Sequence, residues 1–213
     1  MIRAAVLVPS HIYYDNQTEL LDKCIDSLLK QTKVPDIYIS LSFEDKYKKN
    51  TTNIIQKYGT KLNITFKLSK EQKYQMEHLH DLYPCIFNKY DILMFCDDDD
   101  TYHNRRVEDF VNAYEFGKYC NIEKFGGIRE ISKSDKDPGS QIPEYWAYGI
   151  HPNVIEDFFD FFKYPKNMRL LKHKFGDMYF RLYLRKNTKY FYWLPPTISI
   201  DNYEDNMGNK DIV

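Results

Sequence analysis

The sequence has few features that advertise a partner. None of its four cysteines (Cys24, Cys85, Cys96, Cys120) stands at CxxC spacing, so no redox or zinc motif of that kind is legible. Cys24 and Cys96 fall inside apolar patterns and read as buried, reduced thiols of a cytosolic protein. Lys and Arg (30) nearly balance Asp and Glu (31), for a formal net charge of -1. That balance supplies no basic field for nucleic acid. No apolar run approaches the ~20 residues of a membrane span. The opening apolar stretch is too short for a signal peptide. Internal repeats and low-complexity linkers are absent. The chain reads as soluble and cytoplasmic, one domain over 1–213 with halves 1–100 and 101–213. Its abrupt end also fits one domain of a longer protein.

Aromatic residues are abundant, at 16%, with 19 Tyr and 14 Phe. Most are expected in the core or on the surface, although clefts lined with such rings commonly stack on sugars and bases. Along the chain, strand and helix signals alternate. Residues 4–8 form an apolar strand that Pro9 should stop. Asn16 and Glu19 are spaced as a capping box, ahead of a helical stripe of Leu20, Leu21, Cys24, Ile25, Leu28 and Leu29. A second strand spans 36–42, a short helix lies around 52–58, and a third strand covers 62–68. Residues 71–82 read as helix, ended or kinked by Pro84. Beyond residue 100 come a helix with Val107, Phe110, Val111 and Tyr114, a strand over 123–131 and a polar loop over 132–143. An aromatic strand (144–150), helices near 153–162 and 176–185, and a strand over 190–194 complete the pattern. Such alternation predicts one α/β domain around a mostly parallel sheet.

The most informative stretch is Ile92-Leu93-Met94-Phe95-Cys96 running into Asp97-Asp98-Asp99-Asp100. A short continuous apolar run predicts a strand buried on both faces. The aspartates then sit at its carboxyl end, where open α/β sheets place ligands. Unit charges ~4 Å apart repel by roughly 1 kcal/mol in water and ~4 kcal/mol near a protein surface. An acidic turn capping the next helix would account for one or two carboxylates, not comfortably for four. A hard divalent cation, Mn2+ or Mg2+, offsets the repulsion. In a metal-nucleotide arrangement one carboxylate holds the ribose hydroxyls and another the metal that bridges the diphosphate. Asp97-x-Asp99-x-Thr101 also matches the first motif of haloacid-dehalogenase-like phosphatases. Those enzymes carry it on the first strand rather than the fourth, and Arg181 stands where their later motif needs an acid.

The order of these motifs resembles a GT-A glycosyltransferase of the family 2 type. The carrying segments are VLVPS, the amphipathic helix, QTKVPDIYISLS, DILMFCDDDD and Gly176-Asp177-x-x-Phe180-Arg181-Leu182. The sequence is also similar to the small glycosyltransferases encoded by large chlorella viruses. The resemblance spans Ala4 to about Leu194 and implies a hexosyltransferase using a UDP-sugar, UDP-glucose or a UDP-deoxyhexose. It implies that Pro9, Ser10 and His11 line the base and ribose, Asp97 or Asp98 contacts ribose, and Asp99, with Asp97, holds the metal. The family's acidic pair after the second strand is replaced by Ser40-Leu41-Ser42, leaving Ser42 for the base. Asp177 becomes the candidate catalytic base toward an acceptor hydroxyl of a glycan or glycoprotein. Gly176 stands where the family has Glu, so inversion is not assured, and Asp177 also suits a helix N-cap.

Other residues carry weaker signals. Lys70 and Lys73 could reach a diphosphate as point charges, or simply open a solvated helix. His78 and His80 are two apart, on different helix faces, and form no metal pair. Trp146 and Tyr148 alternate on the aromatic strand, with Tyr145 on the other face. One face offers a platform for an acceptor sugar, or ordinary packing. His151, His173 and Asp201 are candidate third ligands, and the tail 200–205 a candidate cover for the donor. A non-catalytic sugar-binding module with a structural cation is the remaining alternative.

Overall fold

The computed structural model describes residues 2–119, 126–130, 145–163 and 165–194. The first half alternates regularly: β1 (Ala4–Ile12), α1 (Gln17–Leu29), β2 (Asp36–Phe43), α2 (Lys48–Tyr58), β3 (Ile64–Leu68), α3 (Gln75–Ile86) and β4 (Ile92–Phe95). The second half holds α4 (Arg106–Tyr119), β5 (Gly126–Glu130), β6 (Tyr148–Ile150), α5 (Pro152–Asp160), α6 (Pro165–Leu171), α7 (Gly176–Asn187) and β7 (Lys189–Leu194). A 3-10 turn at Tyr145–Ala147 precedes β6. The strands join in one sheet ordered β3-β2-β1-β4-β6-β5-β7. β1 is parallel to β2 and β4, and β2 to β3. β6 is antiparallel to both β4 and β5, while β7 is parallel to β5.

The continuous apolar strands are central because both of their faces are covered. Alternate residues divide between two cores, as strand geometry requires. Val6, Val8, Ile92 and Met94 pack with Leu21, Ile25 and Leu28 of α1, Ile54 of α2 and Phe110 of α4. Ala5, Leu7, Leu93 and Phe95 pack on the opposite face with Leu79 and Leu82 of α3, Phe158 of α5 and Phe180 of α7. The chain progresses from β1 outward to β3 and then returns to place β4 on the other side of β1. This reversal opens a crevice at the carboxyl ends of β1 and β4, the place where doubly wound sheets bind ligands.

Four local expectations differ from the structure. Pro9 does not stop β1: it pairs in register with Ser40, and the strand continues to Ile12. Leu7 accepts from the Cys96 N–H. Pro9, two residues on, therefore turns its missing N–H toward the β4 side, where pairing ends at Leu7–Phe95. Asn16 forms no capping box; it is left-handed, with φ 68°, and makes no side-chain cap. Pro84 lies inside α3 rather than at its end. The aromatic strand is only half a strand, because Tyr145–Ala147 turns before β6 starts. Parts of the strand expected over 123–131, the loop 132–143 and the tail 200–205 lie outside the described residues. Cys24 and Cys96 are buried and free. No described helix is long and apolar enough to cross a membrane.

Gly149 shows how tightly the sheet meets α4. A Cβ there would lie 2.5 Å from Phe110 Cδ1 and 2.9 Å from Ile92 Cδ1. Gly149→Ala should therefore cost about 1–3 kcal/mol through overpacking. For a chain of this size that is a fall in Tm of roughly 2–12 °C. Thermal unfolding checks it, and an unchanged Tm would contradict this packing.

Candidate nucleotide and metal site

The end of β4 delivers the acidic turn into the crevice. Cys96 is fully buried and anchored to β1. The Asp100 N–H closes the turn on the Asp97 carbonyl at 3.2 Å. Carboxylate oxygens of Asp97, Asp99 and Asp100 all lie within 4.8 Å of one another, with Asp100 the most buried of the three. Asp98 points elsewhere. It accepts from the Ser10 hydroxyl at 2.5 Å and from Gln17 Nε2 at 3.2 Å. Adjacent aspartates therefore have different surroundings: three carboxylates converge, and the fourth is tied to the end of β1 and the start of α1. Three hard oxygen donors at this spacing fit Mn2+ or Mg2+.

Asp97 is held by two further groups. Its Oδ1 accepts from Gln75 Nε2 at 2.7 Å and from the Tyr145 hydroxyl. Gln75 is the first residue of α3, and Tyr145 opens the 3-10 turn. The buried Arg106 braces this region from α4. Its guanidinium lies 4.7 Å from the Tyr102 ring centroid and 4.8 Å from that of Phe110, and donates to the Trp146 carbonyl at 3.0 Å. Gly176 lets α7 approach α3, since a Cβ there would fall 2.8 Å from Met76 Cγ. α7 also meets the 3-10 turn that carries Tyr145, with Asp177 in its own first turn. Burial pushes the Tyr145 phenol well up, and the charges of Asp97 and Asp177 add to it.

Beyond the end of β1 runs a chain of small polar groups. His11 Nδ1 lies 2.7 Å from Ser42 Oγ, which lies 3.1 Å from His78 Nε2. His78 Nδ1 in turn is 2.8 Å from Ser40 Oγ. Burial pushes His78 down to about 3, and burial likewise lowers His11. Both imidazoles are neutral at pH 7. Ser42 is fully buried and its hydroxyl is shared between two histidines, so it bears on the crevice through His11 rather than by its own surface. Tyr13 stacks on His11 with centroids 5.5 Å apart, and Tyr14 meets Tyr13 edge-on at 5.0 Å. Burial and the charges of Asp98 and Asp99 push the Tyr14 phenol up.

Not every expected residue converges here. Lys73 gives its ammonium to Asp81, whose backbone carbonyl also accepts from Lys67 Nζ at 2.6 Å. That ion pair accounts for Lys73 without a phosphate. Tyr148 is 1% exposed and packed in the core beneath α5 and α7, so it offers no face to an acceptor sugar. Trp146 is half-buried between the two cores and does not form a platform with it. Tyr145, assigned to the opposite strand face, is the member of that segment that reaches the acidic turn. His151 and His173 accept from the N–H groups of Asn153 and Phe175 at their own helix starts, each at 3.2 Å. Asp201 lies outside the described residues. Gln17, Gln75 and Tyr14 went unread in the sequence, and His78 was weighed there only as a metal ligand. Gln17 lies within the segment taken for a capping box, and Gln75 carries no local signal.

Known structures were compared with this geometry. The chain superposes on S. aureus TarS with a TM-score of 0.54 at 15% identity, covering 73% of this chain and 29% of that one. TarS 1–349 in complex with UDP gives 0.57 at 14% identity, covering 91% and 60%. The mannosyltransferase PcManGT from Pyrobaculum calidifontis, in complex with GDP-Man and Mn2+, gives 0.53 at 13%, covering 74% and 46%. The fold is that of the GT-A glycosyltransferases. The chain spans between about a third and three fifths of the length of these neighbours. No family model and no curated protein matches the sequence.

The carboxylates of the acidic turn are electrostatically unhappy without a cation. Burial, followed by the charge of Asp100, pushes Asp97 well up; burial, followed by Asp99, pushes Asp98 up to about 7. A carboxyl raised in the folded state stabilises fully below its unfolded value of about 4 and loses that contribution as pH climbs through the folded value. Metal-free protein should therefore lose stability between about pH 4 and pH 7. Mn2+ favours the ionised carboxylates, so its addition should raise Tm more at the upper end of that range than at the lower. Thermal scans with and without MnCl2 test this; equal shifts at both ends would contradict it.

Proposed function

We propose that the chain is a metal-dependent glycosyltransferase that moves a hexose from a UDP-sugar to a hydroxyl of a glycan or glycoprotein. UDP-glucose or a UDP-deoxyhexose is the donor in this reading, with Mn2+ or Mg2+ at the acidic turn. The observation that carries it is the convergence of Asp97, Asp99 and Asp100 at the sheet's switch point, with Asp98 tied to Ser10 beside them. Support also comes from neighbours of the same fold in complex with UDP and with GDP-Man and Mn2+.

In this reading each residue has a task. Asp97, Asp99 and Asp100 would hold the cation. When bound, it supplies Lewis-acid stabilisation of the departing diphosphate. Asp98, oriented by Ser10 and Gln17, faces the ribose, and His11 with Pro9 lines the base. Asp177, at the start of α7, takes the proton from the attacking acceptor hydroxyl. The phosphatase alternative asks Asp97 to attack as a nucleophile, yet its Oδ1 already accepts two hydrogen bonds and burial opposes its charge. The adjacent buried thiols of Cys24 and Cys96, 3.7 Å apart, suit a reducing compartment, and the cytoplasm belongs to the same proposal.

A donor panel assayed for UDP release separates the roles. Wild-type protein with Mn2+ should hydrolyse one UDP-sugar slowly and transfer faster once acceptor is present. Asp99→Ala should lose both activities by roughly a hundredfold or more, because charge stabilisation at the leaving group is removed. Asp177→Asn should keep the slow hydrolysis and lose transfer by about a hundredfold, the usual scale for a general base. UDP-sugar turnover unaffected by Asp99→Ala would overturn the proposal.

A further inference from the structure

Around Asp97 the hydrogen bonds form a closed triangle. Gln75 Nε2 donates to Asp97 Oδ1 at 2.7 Å and to the Tyr145 hydroxyl oxygen at 2.8 Å. The Tyr145 hydroxyl donates to the same Oδ1. The donor and acceptor roles follow from the groups present. An amide nitrogen only donates, and the carboxylate only accepts when ionised. With Asp97 ionised, the one phenolic proton goes to it. The two oxygens lie too close together, seen from Gln75 Nε2, to take separate amide hydrogens, so one N–H is shared between them. Tyr145 is itself immobile: it is 2% exposed, with its ring centroid 5.6 Å from Phe95 and 6.3 Å from Phe180.

We infer that Gln75 and Tyr145 are positioning residues that clamp Asp97, occupying Oδ1 and presenting Oδ2 to a divalent cation. The inference rests on the reading of the acidic turn as a metal site. The clamp answers a specific difficulty. A carboxylate beside Asp99 and Asp100 is pushed by its neighbours to rotate away, as Asp98 has done toward Ser10 and Gln17. Two hydrogen bonds on one oxygen remove that freedom before a metal arrives. Charge-assisted bonds of this kind are about twice as strong as neutral ones. The clamp also has a place in the wider site: it draws one residue from the start of α3 and one from the turn before β6. Tyr145 also feels the charge of the candidate base Asp177.

Calorimetric titration of MnCl2 into substrate-free protein tests the clamp without reference to turnover. Wild type should bind one Mn2+. Tyr145→Phe keeps the packed ring, deletes only the hydroxyl, and should weaken Mn2+ by roughly 10–100-fold, the usual cost of losing a partner behind a metal ligand. Gln75→Ala should weaken it to a similar degree and carries the test alone if the tyrosine variant fails to fold. Tyr183→Phe removes another phenol–carboxylate bond, from α7 to Asp157 of α5, and should leave Mn2+ affinity unchanged. Wild-type binding with both Tyr145→Phe and Gln75→Ala within twofold of it overturns the clamp and leaves the metal reading standing. Absence of Mn2+ binding by wild type overturns both. Equal weakening by Tyr183→Phe would reduce the effect to general loosening of the fold and also overturn the clamp.

Discussion

Repulsion among four consecutive carboxylates at the end of a buried strand is the constraint around which this structure is arranged. In water the cost of such neighbours is modest, but at the edge of a protein interior it reaches several kcal/mol for each close pair. The fold resolves it partly by geometry. Asp98 is drawn off to Ser10 and Gln17, and Asp97 is fixed from behind by Gln75 and Tyr145. What remains is a three-carboxylate cluster whose charge is still opposed by burial. The proposed cation completes what the side chains leave unfinished.

The sheet order explains what stands around this cluster. β1 lies between β2 and β4, and the direction of winding reverses there. Ser10 and His11 at the end of β1 therefore stand beside the aspartates after β4. The parallel register that matches His11 with Ser42 also builds the histidine–serine chain behind the end of β1. On the other flank, the missing side chain of Gly176 allows α7, with Asp177 in its first turn, against α3 and the turn of Tyr145. Residues from β1, α1, α3 and the turn before β6 thus meet around the acidic turn.

Much of this was legible in the sequence, and the rest was not for identifiable reasons. Continuous apolar strands ending in Pro9-Ser10 and in Asp97 carry their own signal, because burial on both faces demands unbroken hydrophobicity. The sheet, the position of the acidic turn and the helix bearing Asp177 followed from such local patterns. Hydrogen-bond partners did not. Gln75 and Tyr145 lie 22 and 48 residues from Asp97, and Gln17 lies 81 from Asp98. A lone glutamine has no periodicity to betray it. Strand alternation also misassigned Tyr145 and Tyr148, because the 3-10 turn at Tyr145–Ala147 breaks the period of two. Pro9 misled for a related reason: its lost N–H matters only where a neighbouring strand needs it, and pairing with β4 has already ended.

The central claim is that the acidic turn binds a nucleoside diphosphate through a divalent cation. Titration of UDP into the protein, with Mn2+ and then with chelator, addresses it most directly. The account predicts UDP binding in the presence of Mn2+ that is lost on chelation. Binding that is absent with Mn2+, or indifferent to chelation, would contradict it.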